Sequence, residues 1–414
     1  MTRLPDVIDD DLLEVSLACR PVYNRGQEVV ALDLLVQGEQ PSLGATLSDI
    51  EASSAVILGT YTQLFQDGRM QRVPGFLKVT DEVILAPELP DLPKDQYILE
   101  VPEGMLLTSE RVEQLKLLAQ RGYRLAMAGY DPDDVELDVL VELVHIVKVD
   151  TRQLNDAALD RAVRKLRANG VKILADKVDN REQFERCADL GFDYYQGNFL
   201  SAPTPIKGKK ISGNKVLLLQ LLSELHSPEA SPMRLEQIAL KDANLTYRIL
   251  KVVNSAAMGL RREVRSLSHA IALVGLEEIK RWANLFLVSG EHNKPEALTR
   301  SMLVRGRMCE VLAEIAGHSD TVNYFIVGLL SQLDALMDIS MPELMEQVPL
   351  SKEVKSALLA RGGSLGEVLG EVERYEQGLF DELTLLKDTR FYEAAYRHAI
   401  GWAQQVQKAM SSAD

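Results

Sequence analysis

The chain has 414 residues, 46% of them hydrophobic and 26% charged, a balance that implies ordinary globular folding into two or a few domains. Residues 1–205 hold 21 Lys and Arg against 35 Asp and Glu, a balance of −14 within a total of −15, so the N-terminal half repels nucleic acid and the remainder is nearly neutral. No apolar run reaches the roughly eighteen residues of a membrane span, and the acidic start MTRLPDVIDDD is unlike a secretion signal, so a cytoplasmic protein with no membrane insertion is expected.

In chain order, Leu12 to Arg20 reads as a strand ending at Pro21, and after the turn Asn24-Arg25-Gly26 the run EVVALDLLVQ reads as a second. Leu47 to Leu64 has helical spacing, and FLKVT from Phe76 and YILEVPE from Tyr97 are strand-like. SERVEQLKLLAQRG predicts a helix with Ser109 as N-cap and Gly122 as stop, followed by the strand YRLAMAGYD and a helix over VELDVLVELV. From His145 to Pro203 short apolar runs (HIVKV, VKILA, YYQGNFL) alternate with amphipathic helical ones, the rhythm of a parallel α/β barrel. In such barrels chemistry sits at the C-terminal ends of the strands, which makes Lys148, Asp150, Asp176, Asp179 and Gln196 candidates. A carboxylate at a strand end can equally cap the next helix.

Past Pro205 the strand-like runs stop. TPIKGKKISGNK reads as a linker, whose basic run Lys207 to Lys210 is either solvated or an anion contact, and long helical runs follow, one of them from Leu298 to Ala316. The predicted organisation is a barrel over residues 1–205 and an all-α domain over 206–414. Cys19, Cys187 and Cys309, odd in number and without CxxC spacing, predict buried thiols and no zinc site.

Two sets of residues resemble known families. Lys148-Val149-Asp150, the acids after VKILA and the phrase LGFDYYQGNFLSAP resemble the second half of an EAL domain, a family of metal-dependent cyclic di-GMP phosphodiesterases and inactive relatives; the resemblance runs over about residues 12–205. Asn254-Ser255 and the AIxLxG phrase from Ala270 to Gly275 resemble the HDOD domain, a relative of the HD phosphohydrolases that usually lacks their metal site. Together they imply a TIM-like (β/α) barrel of EAL type followed by an all-helical HDOD domain, in a bacterial signalling protein.

The resemblance also implies where a site would be. Two-metal hydrolysis needs carboxylates that hold the cations about 3.5 to 4 Å apart. Carried over residue by residue, the signature Glu falls on Asp33, with Leu34 and Leu35 after it, and its Arg on Gln37. The Asn ligand falls on Lys78, whose ammonium would repel a divalent cation by about 8 kcal/mol at 4 Å and an effective dielectric of 20. The next Glu is kept as Glu100. The paired aspartates that bridge the metals fall on Ala128 and Gly129, which offer no side-chain oxygen. The lysine that assists the water is Lys148, followed by Asp150, and Glu-Gly-Val-Glu becomes Asp176-Lys177-Val178-Asp179. In the helical half the His-Asp pair falls on Ser331-Gln332, and the one close His/Asp couple, His318 with Asp320, reads as helix capping.

These losses predict no cofactor, no metal and no hydrolysis, with cyclic di-GMP binding weak or absent. The remaining acids would hydrogen-bond Lys78, Lys148 and Lys177 at the barrel mouth, a single Mg²⁺ site being the alternative. The expected function is a non-catalytic signalling scaffold for a protein partner, the alternatives being a cyclic di-GMP receptor and a residual phosphodiesterase. Arg261, Arg262 and Arg265 in LRREVR are the candidate partner grip, because a guanidinium binds carboxylates bidentately; a solvated loop is the other reading.

Overall fold

The computed structural model describes residues 17–36, 61–66, 69–79, 93–200, 267–276, 294–348 and 350–411, and residues 84, 231, 233, 235 and 279 singly. Its first half contains β1 (Leu17–Tyr23), β2 (Val29–Val36), the hairpin of β3 (Gln63–Gln66) and β4 (Arg69–Arg72), then β5 (Gly75–Lys78) and β6 (Tyr97–Val101). After α1 (Ser109–Gln120) come β7 (Arg124–Met127), α2 (Asp138–Val141), β8 (Ile146–Asp150), α3 (Asp156–Ala168), β9 (Lys172–Asp176), α4 (Arg181–Leu190) and β10 (Tyr194–Gln196). Eight strands close a barrel in the order β1-β10-β9-β8-β7-β6-β5-β2. β1 runs antiparallel to both its neighbours, because a hairpin joins it to β2, and the other adjacent pairs are parallel.

Several local expectations need correction. β1 runs through Pro21 to Tyr23; β10 pairs only with Val22 and Tyr23, which leaves Pro21 on an unpaired stretch of that edge, where a missing N–H is tolerated. Thr108, not Ser109, caps α1, accepting from the Arg111 N–H at 3.3 Å. VELDVLVELV forms a 3₁₀ turn at Val135–Leu137 and the short α2 rather than one helix. Gln63 and Leu64, expected to end a helix, begin β3, while Tyr61 and Thr62 just before them are helical; residues 47–60 of that run lie outside the described residues.

Alternation along the strands sorts the barrel interior into layers. Val22, Ala31, Phe76, Ile98, Ala126, Ile146 and Leu174 form one apolar layer. Two residues further along each strand, or two back on the antiparallel β1, the same inward face presents Arg20, Asp33, Lys78, Glu100, Ala128, Lys148 and Asp176. The polar layer therefore rests on a dry apolar floor.

The described part of the second half is helical: α5 (Leu267–Val274), α6 (Glu296–Ile315), α7 (Thr321–Leu330), α8 (Leu333–Met337), α9 (Met341–Gln347), α10 (Lys352–Ala360), α11 (Gly363–Glu376) and α12 (Arg390–Ser411). α6 and α7 touch backbone to backbone: a Cβ on Gly328 would lie 2.7 Å from the Arg305 carbonyl and 2.8 Å from Gly306 Cα. The two halves share one continuous apolar core from Leu17 to Val406. At the seam the Tyr375 hydroxyl donates to the Leu17 carbonyl at 2.6 Å, Tyr61 donates to Glu393 at 2.6 Å, and Cys19 Sγ lies 3.4 Å from the Tyr396 hydroxyl. All three cysteines are free and buried.

Candidate functional site

The polar layer converges on Asp33, which is 3% exposed, Glu100, 1%, and Lys148, 3%. β2, β6 and β8 aim these side chains inward by the alternation just described. The Lys148 ammonium forms ion pairs with Glu100 Oε2 and, at 3.4 Å, with Asp33 Oδ2, while its Nζ lies 4.3 Å from the centre of the Phe76 ring. Asp33 Oδ2 also accepts from Arg20 at 3.0 Å and from Gln196 Nε2 at 3.1 Å.

The two carboxylates respond differently to this setting. Burial pushes Asp33 up, but the charges of Lys148, Arg20 and Lys78 outweigh it and hold the carboxyl at about 2. At Glu100 burial prevails over Lys148, and the nearby Asp33 charge adds to it, so this carboxyl sits above its ordinary value. Burial disfavours the Lys148 ammonium, yet Asp33 and Glu100 together raise its pKa. Asp33 is the anion of the layer that its neighbours compensate fully, and Glu100 the one they compensate only in part.

The other candidates lie beside this cluster. Asp150 is paired with Lys177 at 2.5 Å and accepts from the Arg152 N–H at 2.9 Å. Asp176 accepts from the Lys177 N–H at 2.8 Å, and its charge reaches Arg20 and Lys148. Asp179 lines the cavity at the rim of the barrel, as do Asp176 and Lys177. None of these acids caps a helix: Asn155 and Asn180 cap α3 and α4. Ala128 brings only a methyl group to the polar layer. Gly129 has φ of +68°, and a Cβ there would lie 2.3 Å from Glu103 Cγ, so an aspartate could not be accommodated without displacing Glu103.

A two-metal centre does not fit these residues. Asp33 and Glu100, the two most buried acids of the polar layer, already share one ammonium, and no oxygen ligand stands on β7 between them and β8. Among the described residues no three His, Cys, Asp or Glu side chains are grouped to hold a metal ion.

In the helical half, the position to which the HD resemblance assigns its His-Asp pair carries Ser331 and Gln332, both buried, and an arginine from α6 reaches the serine. Arg305 on α6 donates to Ser331 Oγ at 3.0 Å, to Glu376 at 2.6 and 3.0 Å and to Glu373 at 3.4 Å. Asp320 stands at the start of α7 but makes no capping bond; its carboxylate accepts from the Asn323 amide, and His318 packs on Tyr324 with ring centres 5.0 Å apart. Arg261, Arg262 and Arg265, Gln37 and the Asn254-Ser255 pair lie outside the described residues. Sequence reasoning missed Arg20 and Arg305. Arg20 was legible as the residue two before Val22 on the inward face of β1; Arg305 was not, because its partners stand on α7 and α11.

The comparisons with known proteins agree with this architecture. The family model of the EAL domain matches residues 80–203 and that of the HDOD domain residues 215–361. The chain has the two-domain EAL plus HDOD architecture of bacterial signalling proteins. It is similar to protein YuxH of Bacillus subtilis, 25% identical over 408 residues that span 96% of this chain and 100% of the relative. It is also similar to the cyclic di-GMP phosphodiesterase CdgJ of Vibrio cholerae, 28% identical over 381 residues, 89% of this chain and 86% of that one. Among solved structures, the FimX EAL domain of Pseudomonas aeruginosa bound to c-di-GMP aligns at a TM-score of 0.35 and 16% identity, over 48% of this chain and 96% of that domain. Among the described residues no helix is long and apolar enough to cross a membrane.

Proposed function

We propose that this chain is a non-catalytic component of cyclic di-GMP-related signalling that acts through contacts with a protein partner. The observation that carries the reading is the Lys148 ammonium held by both Asp33 and Glu100, beside a strand end where Ala128 supplies no ligand. A divalent cation would have to displace that ammonium from both carboxylates, and Lys78 adds a further positive charge to the same layer. The domain bounds that go with this reading are residues 1–205 and 206–414, and the partner surface is assigned to the helical half.

The similarity to CdgJ favours a second reading, a phosphodiesterase that works with a reduced ligand set. One measurement separates the two. With millimolar Mg²⁺ or Mn²⁺, the purified chain is expected to leave cyclic di-GMP intact, as followed by nucleotide chromatography. Turnover that disappears in Glu100→Gln would establish the second reading. Introducing aspartates at positions 128 and 129 is expected to leave the chain inactive, because residue 129 has a left-handed backbone pressed against Glu103 and Lys78 remains in the layer.

A further inference from the structure

Between the rim of the barrel and the helices α6, α11 and α12 lies a cavity of 520 Å³, a size that accommodates small-molecule ligands. It opens above the polar layer, sharing Arg20 and Asp176 with it, while Lys148 and Glu100 do not line it. Arg20, Arg152 and Lys177 face it from the barrel, Arg300 and Arg305 from α6. Four of these five cations are matched: Arg20 by Asp33, Arg152 and Lys177 by Asp150, and Arg305 by Glu373 and Glu376.

Arg300 is the exception. Its Nε and Nη2 are shielded from solvent and have no hydrogen-bond partner among the described residues. These two nitrogens form one edge of the guanidinium, the side-on fork that takes two oxygens of a single anion. The group stands at the seam of the two halves. Burial pushes Cys19, Tyr23 and Tyr396 up, and the nearby Arg300 charge opposes it at each of them. Donors shielded from water and left without an acceptor are costly, and native folds rarely keep them unsatisfied.

We propose that this cavity binds a small molecule whose two-oxygen anionic head, a phosphate or a carboxylate, sits on the Arg300 fork. The apolar body of the ligand lies against Leu298, Val304, Leu379 and Ile400, which line the same space. Because Arg300 stands on α6 while Arg20 and Lys177 belong to the barrel, occupancy ties the helical half to the barrel rim. The proposal goes beyond the non-catalytic reading, which depends on Lys148 and Ala128 and stands whether or not the cavity takes a ligand.

The test uses the full chain, with calorimetry and thermal unfolding at constant ionic strength, and phenyl phosphate, benzoate and uncharged phenol as probes. At least one of the two anions is expected to bind saturably and raise the unfolding midpoint, with phenol inert; the tighter anion identifies the head group. Arg300→Gln should weaken that binding tenfold or more while its unliganded midpoint stays level or rises, since a guanidinium edge that is shielded and unbonded has been removed. Arg300→Lys keeps the charge but lacks the fork, and should show the same loss of binding. A parent chain indifferent to both anions, or variants that bind as tightly as the parent, would overturn the proposal.

Discussion

Asparagine in place of Asp33 is expected to destabilise the protein by about 3–5 kcal/mol at neutral pH, while Glu100→Gln changes stability by less than about 1 kcal/mol or improves it. The two carboxylates share Lys148, but only Asp33 is also held by Arg20 and Gln196. Removing its charge leaves two cations around one neutral amide. Removing the Glu100 charge abolishes a poorly solvated anion and leaves Lys148 paired with Asp33. The pH dependence has opposite signs at the two sites. Asp33, held at about 2 when folded against about 3.9 when unfolded, contributes stability that is complete above about pH 4 and is lost as pH falls through 2. Glu100, raised in the fold, imposes a penalty that sets in as pH climbs past its unfolded value of about 4.3. Urea unfolding of the parent and both variants between pH 2 and 7 checks this. The curve for Asp33→Asn should converge on the parent only at the acid end, and equal losses for the two variants would show that the carboxylates hold Lys148 alike.

The second large effect is expected at Gly197, where the barrel closes. Its φ is +143°, and a Cβ would lie 2.2 Å from the Val178 carbonyl oxygen and 2.5 Å from the Val178 nitrogen. The approach is that close because Val178 donates to the Gln196 carbonyl at 2.9 Å and accepts from the Phe199 N–H at 3.0 Å, so the chain folds over it on both sides of the glycine. Gly197→Ala combines backbone strain with overpacking, each worth about 1–3 kcal/mol, and should cost more than about 3 kcal/mol in all. The contacts at risk are those of β10 with β1, Val22 opposite Gln196 and Tyr23 opposite Tyr195. An unchanged urea midpoint would mean that this corner yields freely.

Much of the barrel was legible because its period of two is written in the residues. HIVKV, VKILA and YYQG each became a strand, and the polar residues at their ends face one mouth. That Lys148 would meet Asp33 and Glu100 came from the resemblance to the EAL domain and not from this period. What was hidden depends on register and distance along the chain. That Arg20 meets Asp33 requires knowing that β1 and β2 pair antiparallel with these two residues opposite each other. The β3–β4 hairpin was not read from the sequence, and of its residues only Gln63 and Leu64 fall in a run whose spacing suits a helix. Thr108 and Ser109 are both good caps, and the backbone chose the first. Asp320 has capping chemistry but a left-handed φ of +60°, which turns its carboxylate to Asn323 instead. Arg300 and Arg305 acquire meaning only once α6 is placed beside the barrel rim.

The seam along β1 has a consequence for how the protein is made. Leu17 and Cys19 receive partners from Tyr375 and Tyr396, and the Gln63 carbonyl accepts from Gln404 at 2.6 Å, so this strand is completed by helices made more than 350 residues after it. Both of those helices lie beyond residue 361, where the HDOD match ends. At about 5–20 residues per second, some 350 residues must be synthesised after β1 before it can be covered, a wait of roughly 20 to 70 s. Contacts of such high sequence separation slow folding, and until they form the apolar outer face of β1 is exposed to other nascent chains. Closure of the seam along β1 therefore waits on residues more than 350 positions downstream of it.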